Sequence, residues 1–494
     1  MKKISLITFL ILASWYLKAQ TIEIGEEASV QIGVGASLTT GVITTSEVNN
    51  LIIKSDETGD GSLIAGGNPY ATAERFVSFK LNHLITPLTT DVIANDLYDP
   101  NNAAWLSYHD EFTNSWTYIT DLSDPLTVGQ GYSYYVTQSR TVEFKGRLQN
   151  DDFSFTLKYS GDNDDQGWNL MGNPFSSALD HDNGVWDANS LTTGYVYVWD
   201  QNTTDGYRIS SIPSSTPGTL PDNVIPKGQG FFVKATGRGE FVIPSSARVH
   251  DHSNAFYKSG KENKDTSIPF IRMDLDNGHL GNTVFVGFPE NGSDDFDIPG
   301  DADKLFSSYD KIQFYTLENG KELCINTKKP LQENEAKIIP LYFVQGGDQE
   351  EHHLKFSSLD CLPEYDIVLE DLKTGYTQNV KENPEYTFEV TAEDDPHRLD
   401  LHFNRGANGL TEKGEQESGL NIYTQGNTLY VHSSEDLSNK QGKLFLYDFS
   451  GRIILERSLN KGILTSVSVE NLKGYAVVKV VKGKIVETEK VIFQ

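Results

Sequence analysis

Val128-Gly129-Gln130-Gly131-Tyr132-Ser133-Tyr134 and Lys227-Gly228-Gln229-Gly230-Phe231-Phe232-Val233 place the same Gly-Gln-Gly step before the same kind of strand at two separated points of the chain. The glycine after Gln is predicted to let the backbone enter the strand with a dihedral that a side chain resists. Gln130 and Gln229 are predicted to tie down loop backbone with their amides. Working outward, His83-Leu84-Ile85-Thr86-Pro87-Leu88 parallels Asn169-Leu170-Met171-Gly172-Asn173-Pro174-Phe175 with one residue inserted. Trp105 to Asp110 parallels Tyr195 to Asp200, and polar turns then lead to Trp116 and Tyr207. Each copy closes on a strand, Thr141 to Phe144 and Glu240 to Ile243. Ordered matches of this kind identify a duplicated β-module over residues 71–250, with copies at about 81–146 and 167–250.

Short alternating runs between Gly, Asn, Asp and Pro clusters continue to the C-terminus, and long helical periodicity is nearly absent. The fold class is therefore all-β, with tandem antiparallel β-modules and β-sandwiches. Residues 20–70 read as an N-terminal segment of very short strands, either stacked in β-helical fashion or forming the first edge of the following module. A polar linker spans 251–267, and a β-sandwich of alternating strands with immunoglobulin-like layering spans 268–405. A second linker, 406–419, precedes a small C-terminal immunoglobulin-like β-sandwich at 420–494.

The chain opens with Lys2 and Lys3, an apolar run from Ile4 to Leu17, and Lys18-Ala19-Gln20. That pattern predicts a signal peptide over 1–19, its apolar core too short to span a bilayer, and no spanning run follows it. The 494 residues carry a net charge of −28, a surface that repels nucleic acid and anionic lipid. The two cysteines, Cys324 and Cys361, are too few for a disulfide scaffold. They are read either as one bridge or as two small buried hydrophobes.

No phosphate-binding glycine loop, nucleophile elbow or His-Glu-x-x-His helix is present, so no catalytic residue is assigned. Calcium is the cofactor that the carboxylate clusters would suit. One cluster opens with Asp162 and Asp164; the other gathers Asp294, Asp295, Asp297, Asp301 and Asp303. Trp116, Tyr118, Tyr132, Tyr134 and Tyr135, with Tyr207, Phe231 and Phe232, are read first as core, with a sugar-stacking platform as the functional alternative. The passenger is expected to be an adhesion, binding or surface-structural protein, with a carbohydrate or other surface ligand as its partner. The competing reading is a secreted hydrolase, for example one acting on polysaccharide, whose opposed carboxylates cannot be singled out in so acidic a chain.

The last unit resembles the type A C-terminal sorting domain of type IX secretion cargo. The resemblance rests on Lys443 through Asp448-Phe449-Ser450-Gly451-Arg452, on Leu472-Lys473-Gly474-Tyr475 and on the basic terminal strand Lys484 through Lys490-Val491-Ile492. Asp448, Gly451, Arg452, Gly474 and Tyr475 are its motif positions. It implies a bacterium with two membranes, the type IX machinery and its surface protease as partners, and a location at the cell surface or outside the cell. The repeat copies also resemble uncharacterised passenger modules of such cargo, through Gly167-Trp168-Asn169-Leu170-Met171-Gly172-Asn173-Pro174-Phe175.

Overall fold

The computed structural model describes residues 21–493 except 80, 99–104, 162–164, 183–184, 187–190, 201–205, 213–217, 221–222, 252–268, 299, 307–311, 334, 346–350, 392, 406–418, 449–450 and 470–471. The signal peptide and nearly all of both linkers lie outside the described residues. The chain divides into two units, Met1–Asp265 and Thr266–Gln494.

The first unit begins as a coil of parallel strands. Thr21–Ile24, Ser37–Thr45 and Ser62–Gly66 stack as one ladder, and Val30–Ile32, Leu51–Ile53 and Tyr70–Val77 as a second. Small residues keep the turns tight, and the isolated aliphatics Ile24, Ile32, Ile43, Leu51, Ile53 and Leu63 fill the space between ladders. Tyr70–Val77 then pairs antiparallel with Arg140–Arg147, so the coil and the duplicated module share a strand.

Both copies of the module use one topology. The first sheet runs Ser115–Tyr118, Trp105–Asp110, Tyr132–Val136, Leu81–Ile85; the second runs Gly206–Ser211, Tyr195–Asp200, Gly230–Lys234, Trp168–Gly172. Each copy starts earlier than its sequence match. Tyr70–Val77 pairs with the closing strand of the first copy and Phe153–Leu157 with that of the second, Gly239–Ile243. These opening strands share no motif, and only their pairing reveals them.

The Gly-Gln-Gly steps hold the copies together reciprocally. Gln130 Nε2 donates to the Leu170 carbonyl at 2.9 Å, and Gln229 Nε2 donates to the Leu84 carbonyl at 3.1 Å. Leu84 and Leu170 are equivalent positions, so the copies meet through a self-complementary patch, as the subunits of a two-fold dimer do. The positive φ falls on the glycine before Gln, at 76° for Gly129 and 66° for Gly228. The glycine after Gln serves close approach instead: a Cβ on Gly131 would lie 2.5 Å from the Met171 carbonyl oxygen, and one on Gly230 would lie 2.9 Å from Leu84 Cβ. Replacing the fully buried Gln229 by Ala strips a donor from the Leu84 carbonyl and is expected to cost about 1–3 kcal/mol, read as a lowered urea midpoint.

A buried ion network joins the coil to the second copy. Lys227, immediately before its Gly-Gln-Gly step, lies 3.1 Å from Asp60 Oδ1 and donates to the Gly61 carbonyl at 3.1 Å. Arg75, on the shared strand, pairs with the other Asp60 oxygen, and Glu74 beside it pairs with Lys54.

In the second unit, residues 270–405 form one continuous sheet that curls until its halves face each other across a common core. Met273, Val284, Phe314, Leu341, Leu354, Ile367, Leu401 and Phe403 lie in that core, so the alternating strands do make a sandwich, with its two layers joined. Cys324 and Cys361 do not form a disulfide with each other. Burial pushes the Cys324 thiol up to about 12, and it donates to the Asp303 carbonyl at 3.1 Å, the behaviour of a small core hydrophobe.

Residues 420–493 have their own core between a three-stranded and a four-stranded sheet, with Leu429, Leu444, Leu446, Ala476, Val478 and Val480 fully buried. This unit also packs on the sandwich. Tyr430 and Leu464 form a second apolar cluster with Ile338 and Val368, joined by Tyr423 and Ile463.

Candidate functional site

The turn after Gly442–Tyr447 exists because Asp448 closes it. Its carboxylate accepts the Arg452 amide at 3.0 Å and Arg452 Nε at 3.1 Å, its carbonyl accepts the Gly451 amide at 2.9 Å, and Gly451 supplies a φ of 82°. The Arg452 side chain remains 81% exposed. Gly474–Lys482 runs antiparallel beside Gly442–Tyr447, with Val477 opposite Tyr447, so Gly474 and Tyr475 stand at the same end of the sheet as the turn. Gly474 has a φ of 91°, and the half-exposed Tyr475 ring lies under Lys490 Nζ at 4.2 Å. The structure thus gathers Asp448, Gly451, Arg452, Gly474 and Tyr475 at one rim.

The carboxylate clusters are arranged differently. Asp162 and Asp164 lie outside the described residues. Asp294 pairs with Lys337, and Asp295 accepts from Asn319 at 3.4 Å. Asp301 accepts the Thr327 amide and hydroxyl at 2.6 and 2.9 Å and the Asp297 amide at 2.8 Å, which makes it a loop brace. Asp303 sits on a buried two-residue strand.

Among the described residues, Glu370, Asp400 and His402 do converge, with one ligand-type atom from each within 4.8 Å of the others. Glu370 and Asp400 are register partners on neighbouring strands, and His402 follows two residues on. All three are buried. His402 Nε2 is 2.9 Å from Glu370 Oε2, its Nδ1 is 2.9 Å from the Tyr423 hydroxyl, and Asp400 Oδ1 is 2.7 Å from His397 Nε2. The Ser466 hydroxyl donates to Glu370 at 3.3 Å. Tyr423 and Ser466 come from the C-terminal unit, so the cluster is a polar seam under that unit rather than an open site. Sequence alternation places Asp400 and His402 opposite the inward Leu399, Leu401 and Phe403, which is where solvated residues also stand. Nothing in the pattern marks the seam.

The aromatic candidates divide. Tyr132, Tyr134, Phe231 and Phe232 are buried, whereas Trp116 is 41% exposed and Tyr118 64% exposed on the strand Ser115–Tyr118. Tyr135 and Tyr207 are half-buried. Trp116 packs edge-on against His109 and Phe232. In the second unit Tyr315, Tyr342 and His397 form a ladder stacked face to face, with ring centroids 5.5 and 4.9 Å apart, so their faces are occupied by one another. Beside the Trp116 strand a cavity of about 310 Å³ is lined by Ala94, Leu97, Leu106, Ile119, Leu122 and Tyr134, among others.

These features define an all-β protein built from a parallel coil, a duplicated module, a curled sandwich and a small terminal β-unit. Residues 17–403 match the family described as "Domain of unknown function (DUF8693)", and the chain belongs to that family. No curated protein matches it. Among solved structures it is similar to the 47-kilodalton lipoprotein Tp47 of Treponema pallidum, at 9% identity over 85% of this chain and 90% of that one, with a TM-score of 0.14. A tetra-tandem repeat from the extending region of a large adhesion protein matches at 9% identity, over 86% of this chain and all (100%) of that one, with a TM-score of 0.12. The BSP domain of a biofilm associated protein matches at 8% identity, over 91% and 98%, with a TM-score of 0.15. Scores at that level do not amount to a shared fold. Among the described residues no helix is long and apolar enough to cross a membrane.

Proposed function

We propose that this protein is exported to the cell surface or beyond by way of its C-terminal unit, and that residues 20–405 act there by binding or by forming surface structure. The observation that carries the export reading is the assembly of Asp448, Gly451, Arg452, Gly474 and Tyr475 at one rim of a unit with its own core. A sorting element needs a defined, accessible shape, and a fixed exposed arginine in a closed turn provides one. The family match ends at residue 403, which leaves this unit outside the family body. The binding reading is supported by the exposed aromatics Trp116 and Tyr118 of the first copy.

Deleting residues 420–494 in the native host is expected to hold the passenger in the periplasm, and fusing them to an exported reporter to bring that reporter to the surface. The assay is fractionation of periplasm, surface and medium. Normal surface amounts of the truncated protein would remove the sorting assignment.

A further inference from the structure

In the neighbouring strands Ala336–Val344, His397–Arg405 and Tyr365–Asp371, alternation turns Ile339, Leu341, Ile367, Leu369 and Leu401 into the sandwich core. The opposite face of these strands should therefore meet solvent. It does not: Ile338, Val368, Glu370, Asp400, His402 and Asn404 all stand on that face, and all are buried. Register lays them out as a block, with His402 between Ile338 and Val368, and Asp400 between Pro340 and Glu370.

The terminal unit repeats the pattern. Its strands Leu420–Gln425, Thr428–Ser433 and Leu464–Ser468 send Ile422, Leu429, Val431 and Val467 into the unit's own core, and Tyr423, Tyr430, His432, Leu464 and Ser466 to the other side. Of these, Tyr430, His432 and Leu464 are buried. The two blocks cover each other. Tyr430 and Leu464 cluster with Ile338 and Val368, and none of the four belongs to either core. The Tyr423 hydroxyl lies 2.9 Å from His402 Nδ1, and the Ser466 hydroxyl donates to Glu370 at 3.3 Å. The Tyr423 and Tyr430 rings stack on each other at 5.3 Å beside the His402 imidazole.

This is the arrangement of a further sheet layered on the sandwich, with an apolar patch and polar groups bonded across the join. Every contact named above lies between residues 270–405 and 420–493, and none involves the residues that connect them. The connection raises the local concentration of one block near the other but supplies none of these contacts. Long-range charge acts in the same sense. Ten basic and seven acidic side chains give residues 420–494 a net charge of +3 inside a chain of −28.

We propose that residues 420–493 hold to this face as a separate partner would, so that cutting the chain between residues 406 and 418 leaves the terminal unit in place. The unit comes away only when something displaces it, and until then it closes Glu370, Asp400 and His402 to any other ligand. This goes beyond the export reading, which needs only that the unit be recognised. Its failure would leave that reading untouched, because the test involves no secretion.

The test uses the full chain with a site-specific protease sequence inserted after Gly409, cut to completion and run on size exclusion at physiological salt. Both fragments are expected in one peak at about 1 µM chain. Tyr430→Glu and Ile338→Glu each put a carboxylate into the apolar cluster, from opposite sides and outside either core. Each is expected to raise the dissociation constant at least roughly hundredfold, read as the dilution at which the peak splits. Tyr423→Phe, which removes only the hydroxyl at His402, is expected to raise it roughly fivefold. Should the glutamate variants fail to fold, diethyl pyrocarbonate on the cut chain without them decides. His402 is fully buried, whereas the His353 side chain is 43% exposed. His353 is expected to be modified and His402 spared, with both modified once the chain is unfolded in urea. Separation of the fragments at about 1 µM, modification of His402 at the rate of His353, or an unchanged splitting dilution in both glutamate variants would each overturn the proposal.

Discussion

Lys227→Met is expected to destabilise the first unit by about 3–5 kcal/mol at neutral pH. Lys227 and Asp60 are both almost fully buried, so each charge exists there only because the others do. Burial lowers the lysine's affinity for its proton, and Asp60 opposes that. For Asp60 itself burial works upward, but Lys227 and Arg75 outweigh it and hold the carboxyl below its usual range. Methionine fills the volume and leaves the Gly61 carbonyl without this donor, while Asp60 keeps only part of its cationic surroundings. Lys54→Met is the comparison, because Lys54 is 41% exposed in its pair with Glu74 and its loss should cost about 0–1 kcal/mol. All six tryptophans lie before residue 266, so urea unfolding followed by tryptophan fluorescence reports this unit. Similar midpoints for the two variants would show that the network does not anchor the coil to the second copy.

Lys227 also shows where sequence reading stops. The Gly-Gln-Gly steps and their flanking strands were legible, because a turn with fixed glycines leaves the same residues at the same offsets, and the two sheets repeat their strand order accordingly. The alternating strands of 268–405 and 420–494 were legible for the same reason, period two against a core. Yet Lys227 stands where the first copy has Val128. That change from an apolar to a charged residue inside a matched motif was the available signal for the buried network, and its partners Asp60, Arg75 and Glu74 sit far upstream in strands without a motif. The role of the glycines was half visible: their necessity was, but the division between positive φ before Gln and close approach after it depends on Met171 and Leu84 from the opposite copy. The seam of Glu370, Asp400 and His402 was invisible, since an outward polar residue looks the same whether solvent or another unit covers it.

Acid is expected to weaken the first unit between pH 6.5 and 4, beginning above the range in which carboxylates protonate. His83 and His181 are buried, and burial pushes each down to about 4 from an ordinary value of 6.5. Between those values the unfolded chain binds protons that the folded one refuses, so stability rises with pH, is fully present above 6.5, and is lost as pH falls toward 4. A shift of that size is worth on the order of 3 kcal/mol for each histidine, with about 2 kcal/mol already lost at pH 5. His181 is the cleaner probe: among the described residues no side chain bonds either ring nitrogen, and the Trp186 ring lies 6.4 Å away between centroids. The second unit should respond less steeply. There His432 is likewise pushed down to about 4, chiefly by burial, but His397 is raised by its hydrogen bond to Asp400. A raised histidine contributes stability that is present below 6.5 and disappears as pH climbs through its folded value, so the two act in opposite senses. The measurement is urea unfolding of the first unit by tryptophan fluorescence at pH 7 and pH 5, for the native chain and for His181→Leu. The variant should lose about 2 kcal/mol less than the native chain across that interval. Parallel losses in the two would mean that His181 titrates as an ordinary solvated imidazole, and that its burial in the second copy costs the folded state nothing in acid.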